Sequence, residues 1–597
     1  MEKRLLLAVA LSVGFLLLWT WLFTPPPPHP GAPSGAAGTQ APGPSGPAGV
    51  STGAASGGAT GSGPGVTAPS LAGVGGVEGA ARRPDLAAGK TIAAAAEQEI
   101  VVDTPLAEIR LTNRGARIVS WRLKKYLDDH GHPLELVSQA GRTSDHLPLQ
   151  FLLEDPETTR RLKDALYTVT RKEAAEDGRT ITTIAFAFGD GAGLQATKSL
   201  RVDHASYITE VEVAAAVAAR AVEPSLVWGV GFGPHNGLEN GRYSDTAHAV
   251  VNLGGRVTRL DPTKMKPEQL PAIERGPVVW AGLEDRYFAA VLVPQAPADG
   301  TPAAGGEARV ESVRLVEDGR EHFFPSFALA VAGASRYHLF VGPKDYDVLK
   351  GFRLGLERLL DFGMFTVIAL PLFYALKFID RYVGNFGWAI VILTVVIRLI
   401  FFPLMHRSQV KMRAMQEKMK RIQPKLKAMK ERYHRLERKE AEKGNARARH
   451  QLRQKMNEEM MELYKEEGIN PLGSMSGCLP LLLQLPILYA FYAILTIAIE
   501  LRKAPFMFWI GDLSQKDPYF VTPIVMGVTM LVQQMMTSST IADPAQRRMM
   551  YLMPIMFTYF FISLPSGLVL YWLTSNLLGI GQQYLINKEV DAARDTA

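Results

Sequence analysis

The stretch "AIVILTVVIRLIFFPLM", Ala389 to Met405, is apolar enough to lie in a bilayer, and it contains Arg398. A guanidinium inside a membrane costs about 2.5–3.5 kcal/mol on insertion scales. The fold must therefore surround Arg398 with water, give it a counter-ion, or let it reach the headgroups. Counting inward from Gly387 at about 1.5 Å per residue, Arg398 lies about 17 Å deep, on the cytoplasmic side of the midplane. At that depth a snorkelling side chain is strained but feasible.

The surrounding sequence is that of a membrane protein with a large soluble part. Of 597 residues, 47% are hydrophobic, and they are clustered. The first 23 residues carry Lys3 and Arg4 ahead of a long apolar run ending in "WTWLF". They predict a retained anchor with a cytoplasmic N-terminus rather than a cleaved signal. Residues 24–97 are mostly Gly, Ala, Pro and Ser, with no formal charge before Glu78. They predict a tether too poor in apolar surface to order itself.

Between residues 98 and 345 the texture changes. "AEIRLTN", "ARIVSWRL", "RTITTIAFAF", "YITEVEVAAAV", "PSLVWGVGFG", "YFAAVLVP" and "YHLFVGP" are short β-branched and aromatic runs set off by turn residues. In one of them Thr209, Val211 and Val213 alternate with Glu210 and Glu212. The pattern predicts an all-β antiparallel sandwich. Following an outward-going anchor, this domain lies outside the cytoplasm.

Residues 406–476 carry 19 Lys and Arg against 10 Asp and Glu, which places them in the cytoplasm. With the N-terminus also inside, an even number of spans must separate the two. The anchor and the Arg398 segment, 387–405, are those spans. Region 346–386, with Pro371 in mid-run and Lys377, Asp380 and Arg381 near its end, is then an interfacial helix. The basic segment reads as a helical hairpin. Met412, Met415, Met419, Ile422, Leu426 and Met429 recur at helical spacing, as do Leu452, Met456, Met460 and Leu463. The Met stripe serves either as the hairpin's own seam or as an adaptable client-catching face. Its cations serve topology, or touch ribosomal RNA or anionic lipid.

Residues 477–586 hold four more apolar spans, none with a formal charge. The last two meet at "SLPSG", a tight outer turn, and 587–597 form a short cytoplasmic tail. The fold class is thus a multi-domain membrane protein: six transmembrane helices plus the β-sandwich. Arg398 has no Asp or Glu in any span to pair with. Thr394, Gln484, Gln533, Gln534, Thr574, Ser575 and Asn576 could line a wet space around it. The lone cysteine, Cys478, excludes an intramolecular disulfide. Neither a nucleotide-binding GxxxxGK[ST], nor HExxH, nor GxSxG occurs, so no catalytic residue, metal site or cofactor is assigned.

"GWAIVILTVVIRLIFFPL", "INPLGSMSGCLPLLLQLPILYAFYAIL", "MGVTMLVQQM", "ADPAQRRMMYLMPIMF" and "PSGLVLYWLTSNLLGIGQQYLI" resemble the YidC/Oxa/Alb family of membrane insertases. "FVGPKDYDVL" is similar to the family's junction between periplasmic domain and core. The resemblance implies a hydrophilic groove, open to the cytoplasm and to lipid and closed toward the periplasm. It places Arg398, Thr394, Gln534 and Trp572 in that groove, and Gln484 joins them from its polarity. It makes the basic hairpin, with Met412, Met415, Met419, Met429, Lys418 and Lys425, the client-reception element. It implies the bacterial inner membrane, a sandwich like that of galactose mutarotase, and nascent membrane proteins as clients. The Sec translocon and the ribosome are further partners it implies, and there is no small-molecule substrate. Three features depart from the family pattern: extra hairpin residues around Glu437–Arg449, the long "GSMSGC", and a tail that is not basic, which weakens a ribosome role. Two other classes compete. One is a secondary transporter with Arg398 as an anion site, but the chain shows no inverted repeat. The other is a membrane-tethered carbohydrate-active protein, for which no acid/base pair can be assembled.

Overall fold

The computed structural model describes residues 91–597 except 129, 219, 234–246, 263, 296–304, 318–319, 444–445, 469–478, 539–543 and 596–597. The expected anchor, most of the tether, "GSMSGC" and Cys478 lie outside the described residues.

All seven β-rich runs form strands, and every strand pair is antiparallel. The largest sheet has eleven strands. Its centre is Gln195–Asp203, Ile208–Val217, Arg336–Pro343, Phe288–Pro294 and Val278–Glu284, in that spatial order. A five-stranded sheet is built on the hairpin Gly306–Glu317/Arg320–Val331, and a four-stranded sheet on Ala107–Thr112 and Arg117–Leu127. Strands 278–284 and 248–253 pack on the 306–331 hairpin, so apolar side chains of two sheets share one core. The alternation at 209–213 is observed: Thr209, Val211 and Val213 are buried, Glu210 is exposed and Glu212 half-buried. Strand Phe288–Pro294 shows instead a run of buried residues, Phe288 to Val293, because it is covered on both faces. Buried ionisable side chains, Arg117, Lys198, Glu284 and Lys344 among them, were not foreseen. Lys198 is wholly enclosed and donates to the carbonyls of Ala116, 2.7 Å, and Leu149.

The helical region comprises α1 (Thr366–Val383), α2 (Phe386–Glu442), α3 (Ala446–Glu466), α4 (Leu479–Ile497), α5 (Val521–Ser538), α6 (Pro544–Phe561) and α7 (Ser566–Asp595). A two-residue turn separates α1 from α2. Gly384, at φ +68°, ends α1 in the left-handed conformation, and its N–H bonds the Asp380 carbonyl at 2.7 Å. Asn385 caps α2 by accepting from the Trp388 N–H at 3.2 Å. Gly387 follows because a Cβ there would sit 2.0 Å from the Phe506 ring. α7 packs against α2, α4 and α5; α1 packs on α2 and α4, and α6 on α5.

The boundary at 405/406 is chemical only. α2 runs unbroken for 57 residues from the apolar segment into the basic one, with Pro403 and Pro424 inside it. Each proline removes one backbone donor, and a helix held by neighbours on both sides absorbs that loss. The hairpin then forms between the end of α2 and α3. Two described helices are long and apolar enough to cross a membrane by length and composition, Gly363–Val383 and Phe386–Glu442. Gln484–Ile497, Val521–Met536 and Tyr551–Phe561 are shorter apolar helices.

Cationic side chains of the helical region reach the β domain and the short helix that follows it, Tyr346–Gly351. Lys377 on α1 bridges Asp347 (2.5 Å) and Glu500 (2.9 Å). Arg502 and Lys503 donate to the Leu127 carbonyl at 3.1 and 3.2 Å. Burial pushes the Glu500 carboxyl above the usual range, although Lys377 pulls it down. Lys377→Ala leaves that carboxylate buried without its cation, a loss of about 1–3 kcal/mol. Faster hydrogen exchange across 345–351 and 499–503 is the expected readout; unchanged exchange there means the bridge contributes nothing.

Candidate functional site

Arg398 lies on α2 beside α7. Its Nε donates to the Ser575 hydroxyl at 3.0 Å, and its Nη2 donates to the same hydroxyl at 2.6 Å and to the Ser575 carbonyl at 2.9 Å. Gln484 of α4 also donates to Ser575 Oγ, at 3.1 Å. These groups border a narrow crevice of about 20 Å³, lined by Thr394, Ile397, Arg398, Phe401, Met405, Gln484, Ile487, Tyr571 and Ser575. Among the described residues, no carboxylate pairs with Arg398 and Nη1 has no hydrogen-bond partner. An arginine carries five N–H donors. Those on Nη1 are left for water or for whatever occupies the crevice.

The expected residues divide. Arg398, Thr394 and Gln484 meet in the crevice. Thr394 is buried and spends its hydroxyl on the Ile390 carbonyl at 2.6 Å, so it contributes bulk and a methyl group more than a free donor. Gln534 and Trp572 do not line it. Gln534 is half-buried on α5. Trp572 lies against Phe557 and Phe561 of α6, with ring centroids 6.0 and 5.2 Å apart. The reason is helical rotation of about 100° per residue. Tyr571 and Ser575, four apart, share the face toward Arg398; Trp572 is turned to α6. Tyr571, which sequence reasoning passed over, stacks on Phe491 with centroids 4.5 Å apart and forms one wall. The spacing Tyr571–Ser575 was the available signal. Of the other polar candidates, Asn576 points to α5, reaching Thr529 at 3.4 Å, and Thr574 bonds the Leu570 carbonyl.

The end of the bundle at which α2 begins is closed by the segment from Ala498 to Phe520. Leu501, Leu513 and Asp517 are fully buried in it. Its carbonyls cap α7: the Ser566 N–H donates to Gln515 O at 2.7 Å and the Gly567 N–H to Leu513 O at 3.0 Å.

The hairpin's stripe also divides. Met429 and Ile422 are buried, whereas Met412, Met415 and Met419 are half-buried. Lys418 is exposed, and Lys425 is engaged with Glu467 of the facing arm at 3.0 Å. Met429→Ser should therefore destabilise the hairpin by about 2–4 kcal/mol, while Met429→Leu should cost less than about 1.5 kcal/mol. Limited proteolysis of the hairpin separates the two. Equal resistance of both variants means Met429 is not part of the seam.

The described residues thus combine an antiparallel β domain with a set of apolar helices that hold a polar crevice around one arginine. Residues 99–375 match the family described as YidC periplasmic domain, and residues 378–593 match the 60Kd inner membrane protein family. Membrane protein insertase YidC of Syntrophus aciditrophicus (strain SB) is 34% identical over 99% of this chain and 100% of its own. That of Geobacter sulfurreducens is 36% identical over 99% of each. A YidC insertase crystal structure with its first transmembrane domain resolved aligns at 18% identity over 83% of this chain and 94% of its own, with a TM-score of 0.33. The chain belongs to the YidC family of membrane protein insertases.

Proposed function

We propose that the Arg398 crevice is the client-receiving groove of this insertase. Arg398 attracts the acidic or polar segment of a nascent membrane protein while the helices around the crevice pass its apolar segment to lipid. The observation that carries this reading is a half-used arginine. Three of its bonds hold it to Ser575, and among the described residues no carboxylate neutralises it and Nη1 has no hydrogen-bond partner. A merely structural arginine at this depth would be saturated by partners. The segment 498–520, which buries Leu501, Leu513 and Asp517 against the helices, supports a groove closed on that side, so that polar tails have a shortened hydrophobic barrier to cross.

The topology that goes with this reading has six spans: the anchor, the first part of α2, and α4 to α7, with both termini cytoplasmic and the β-sandwich periplasmic. α1 then lies along the outer interface, consistent with its exposed Val367, Phe378 and Tyr382. The basic hairpin of α2 and α3 receives clients, with the half-buried Met412, Met415 and Met419 as its adaptable part. The insertase acts alone or beside the Sec translocon, and contacts the ribosome through its basic cytoplasmic residues. Photo-crosslinkers at Arg398, Gln484, Tyr571 and Met415 should capture stalled nascent membrane proteins, whereas a crosslinker at Gln534 should capture fewer. Absence of client adducts from all four groove and hairpin positions, in a folded protein, would sink the reading.

A further inference from the structure

The outer segment carries a second feature that closing the bundle does not use. Phe508 is 88% exposed and Tyr519 68% exposed, and Trp509 and Phe520 each keep over a third of their surface open. Single exposed aromatics are ordinary; four on one short loop make a patch that asks for a partner. The loop is not a loose one. The Phe506 N–H bonds Ile510 O at 3.0 Å, the Leu513 N–H bonds Ala504 O at 3.0 Å, and the Trp509 indole donates to the buried Asp517 at 3.0 Å. Phe508 and Phe520 both sit at positive φ, +54° and +58°. That conformation disfavours a bulky side chain, yet here it holds rings outward. Phe508 stacks on Trp509, with centroids 5.9 Å apart.

The position of the patch identifies the partner. Asn385, which caps the outer end of α2, donates to the carbonyls of Pro505 and Phe506 at 3.1 and 3.3 Å, and Phe506 meets Trp388 edge-on at 5.6 Å. Below Trp388 the exposed face of α2 continues through Ile392, Val396 and Leu399; below Phe520 that of α5 continues through Ile524, Val528 and Leu531. The aromatics thus cap two outward apolar stripes, with Lys516 and Gln515 exposed between them. Aromatic rings concentrate where hydrocarbon meets headgroups, because their bodies are apolar and their indole or hydroxyl ends are polar.

We propose that the loop 505–520 is a lipid anchor: Phe508, Trp509, Tyr519 and Phe520 seat in the headgroup layer of the outer leaflet. By doing so they fix how deep the Arg398 crevice lies in the bilayer. The lipid contact goes beyond the groove reading; only its consequence for Arg398 rests on it.

The test uses the full chain with Cys478→Ser in phosphatidylethanolamine/phosphatidylglycerol vesicles. An environment-sensitive fluorophore is placed at Phe508→Cys, with Gln515→Cys as the solvent-facing control. The emission at 508 should be blue-shifted relative to 515, quenched by lipids brominated near the headgroup end of their chains, and shielded from aqueous iodide. Iodide quenching equal to that at 515 with no effect of brominated lipid overturns the anchor. So does a photo-crosslink from 508 to a client or to a second copy in place of lipid. The depth-setting consequence is read separately in a Phe508→Ser/Tyr519→Ser double variant. Its thermal unfolding in detergent should match that of the parent, while a thiol at Ile487→Cys, a half-buried position of the crevice wall, should change its reaction rate with a cytoplasmic reagent several-fold in vesicles. An unchanged rate overturns that consequence even where the fluorescence result stands, and a thiol inert in the parent as well counts against the groove reading itself.

Discussion

Arg398→Ala should lower insertion of clients with acidic translocated tails by about tenfold or more, and leave clients with neutral tails within about threefold of normal. The size follows from Coulomb's law: at about 6 Å and an effective dielectric of about 20, a unit pair is worth about 3 kcal/mol, and each 1.4 kcal/mol is a factor of ten. Part of that attraction is screened because the crevice is open. The alanine variant also releases Ser575, which keeps Gln484 as a partner. Arg398→Lys retains the charge but cannot hold Ser575 through two nitrogens and also present a free one. An intermediate loss, confined to acidic clients, is expected. The measurement is protease protection of client tails that differ only in charge. If alanine impairs acidic and neutral tails equally, Arg398 acts by bracing α2 against α7 and not by attracting clients.

The two halves of the chain were legible to different degrees. Strands showed because each carries its own signal: β-branched runs bounded by turns appear as 179–190 and 288–294 whatever their partners are. Arg398 showed because a charge among apolar residues is conspicuous without any tertiary knowledge. The groove's wall did not. Whether Tyr571 or Trp572 faces Arg398 depends on the rotation of α7, which is set by how α7 meets α2, α4 and α5 together. Gln534 looked equivalent to Gln484, but only the helix carrying Gln484 borders the crevice. The helix break between span and hairpin was read from the change in hydropathy at Met405, and hydropathy reports the surroundings of a helix rather than its continuity. Least legible was the outer segment, whose order comes from contacts distant in sequence, such as Ser566 with Gln515 and Asn385 with Pro505.

That segment turns on Asp517, and its replacement should have the largest effect on stability. The Asp517 side chain is fully buried and accepts four hydrogen bonds: from the Trp509 indole at 3.0 Å, the Tyr519 N–H at 3.0 Å, the Thr522 N–H at 2.8 Å and the Thr522 hydroxyl at 2.7 Å. Two of these satisfy donors at the start of α5, where negative charge is favoured. Asp517→Ala leaves the part-buried Trp509 indole N–H and the Tyr519 and Thr522 N–H groups without their acceptor, a loss of about 3–5 kcal/mol. Asp517→Asn keeps the shape but turns one acceptor into a donor, so about half of that loss is expected. The pH dependence has a definite sign. Burial raises the carboxyl's pKa, but the bonds from Thr522, Tyr519 and Trp509 outweigh it and hold it below the usual range. A carboxylate whose folded pKa is depressed stabilises the fold above its unfolded value, about 3.9, and loses that contribution as pH falls through the folded value. The stability gap between the parent and Asp517→Asn should thus be constant from neutral pH to about pH 5 and shrink below about pH 4. Because Leu513 and Ser514 are buried by the same loop, a thiol at Leu513→Cys in the Cys478→Ser background should be inert toward a periplasmic reagent and become reactive once Asp517→Ala is added. If the alanine variant leaves both the unfolding temperature and that reactivity unchanged, the outer closure is held by α7's contacts with Leu513 and Gln515 alone, and Asp517 is incidental to it.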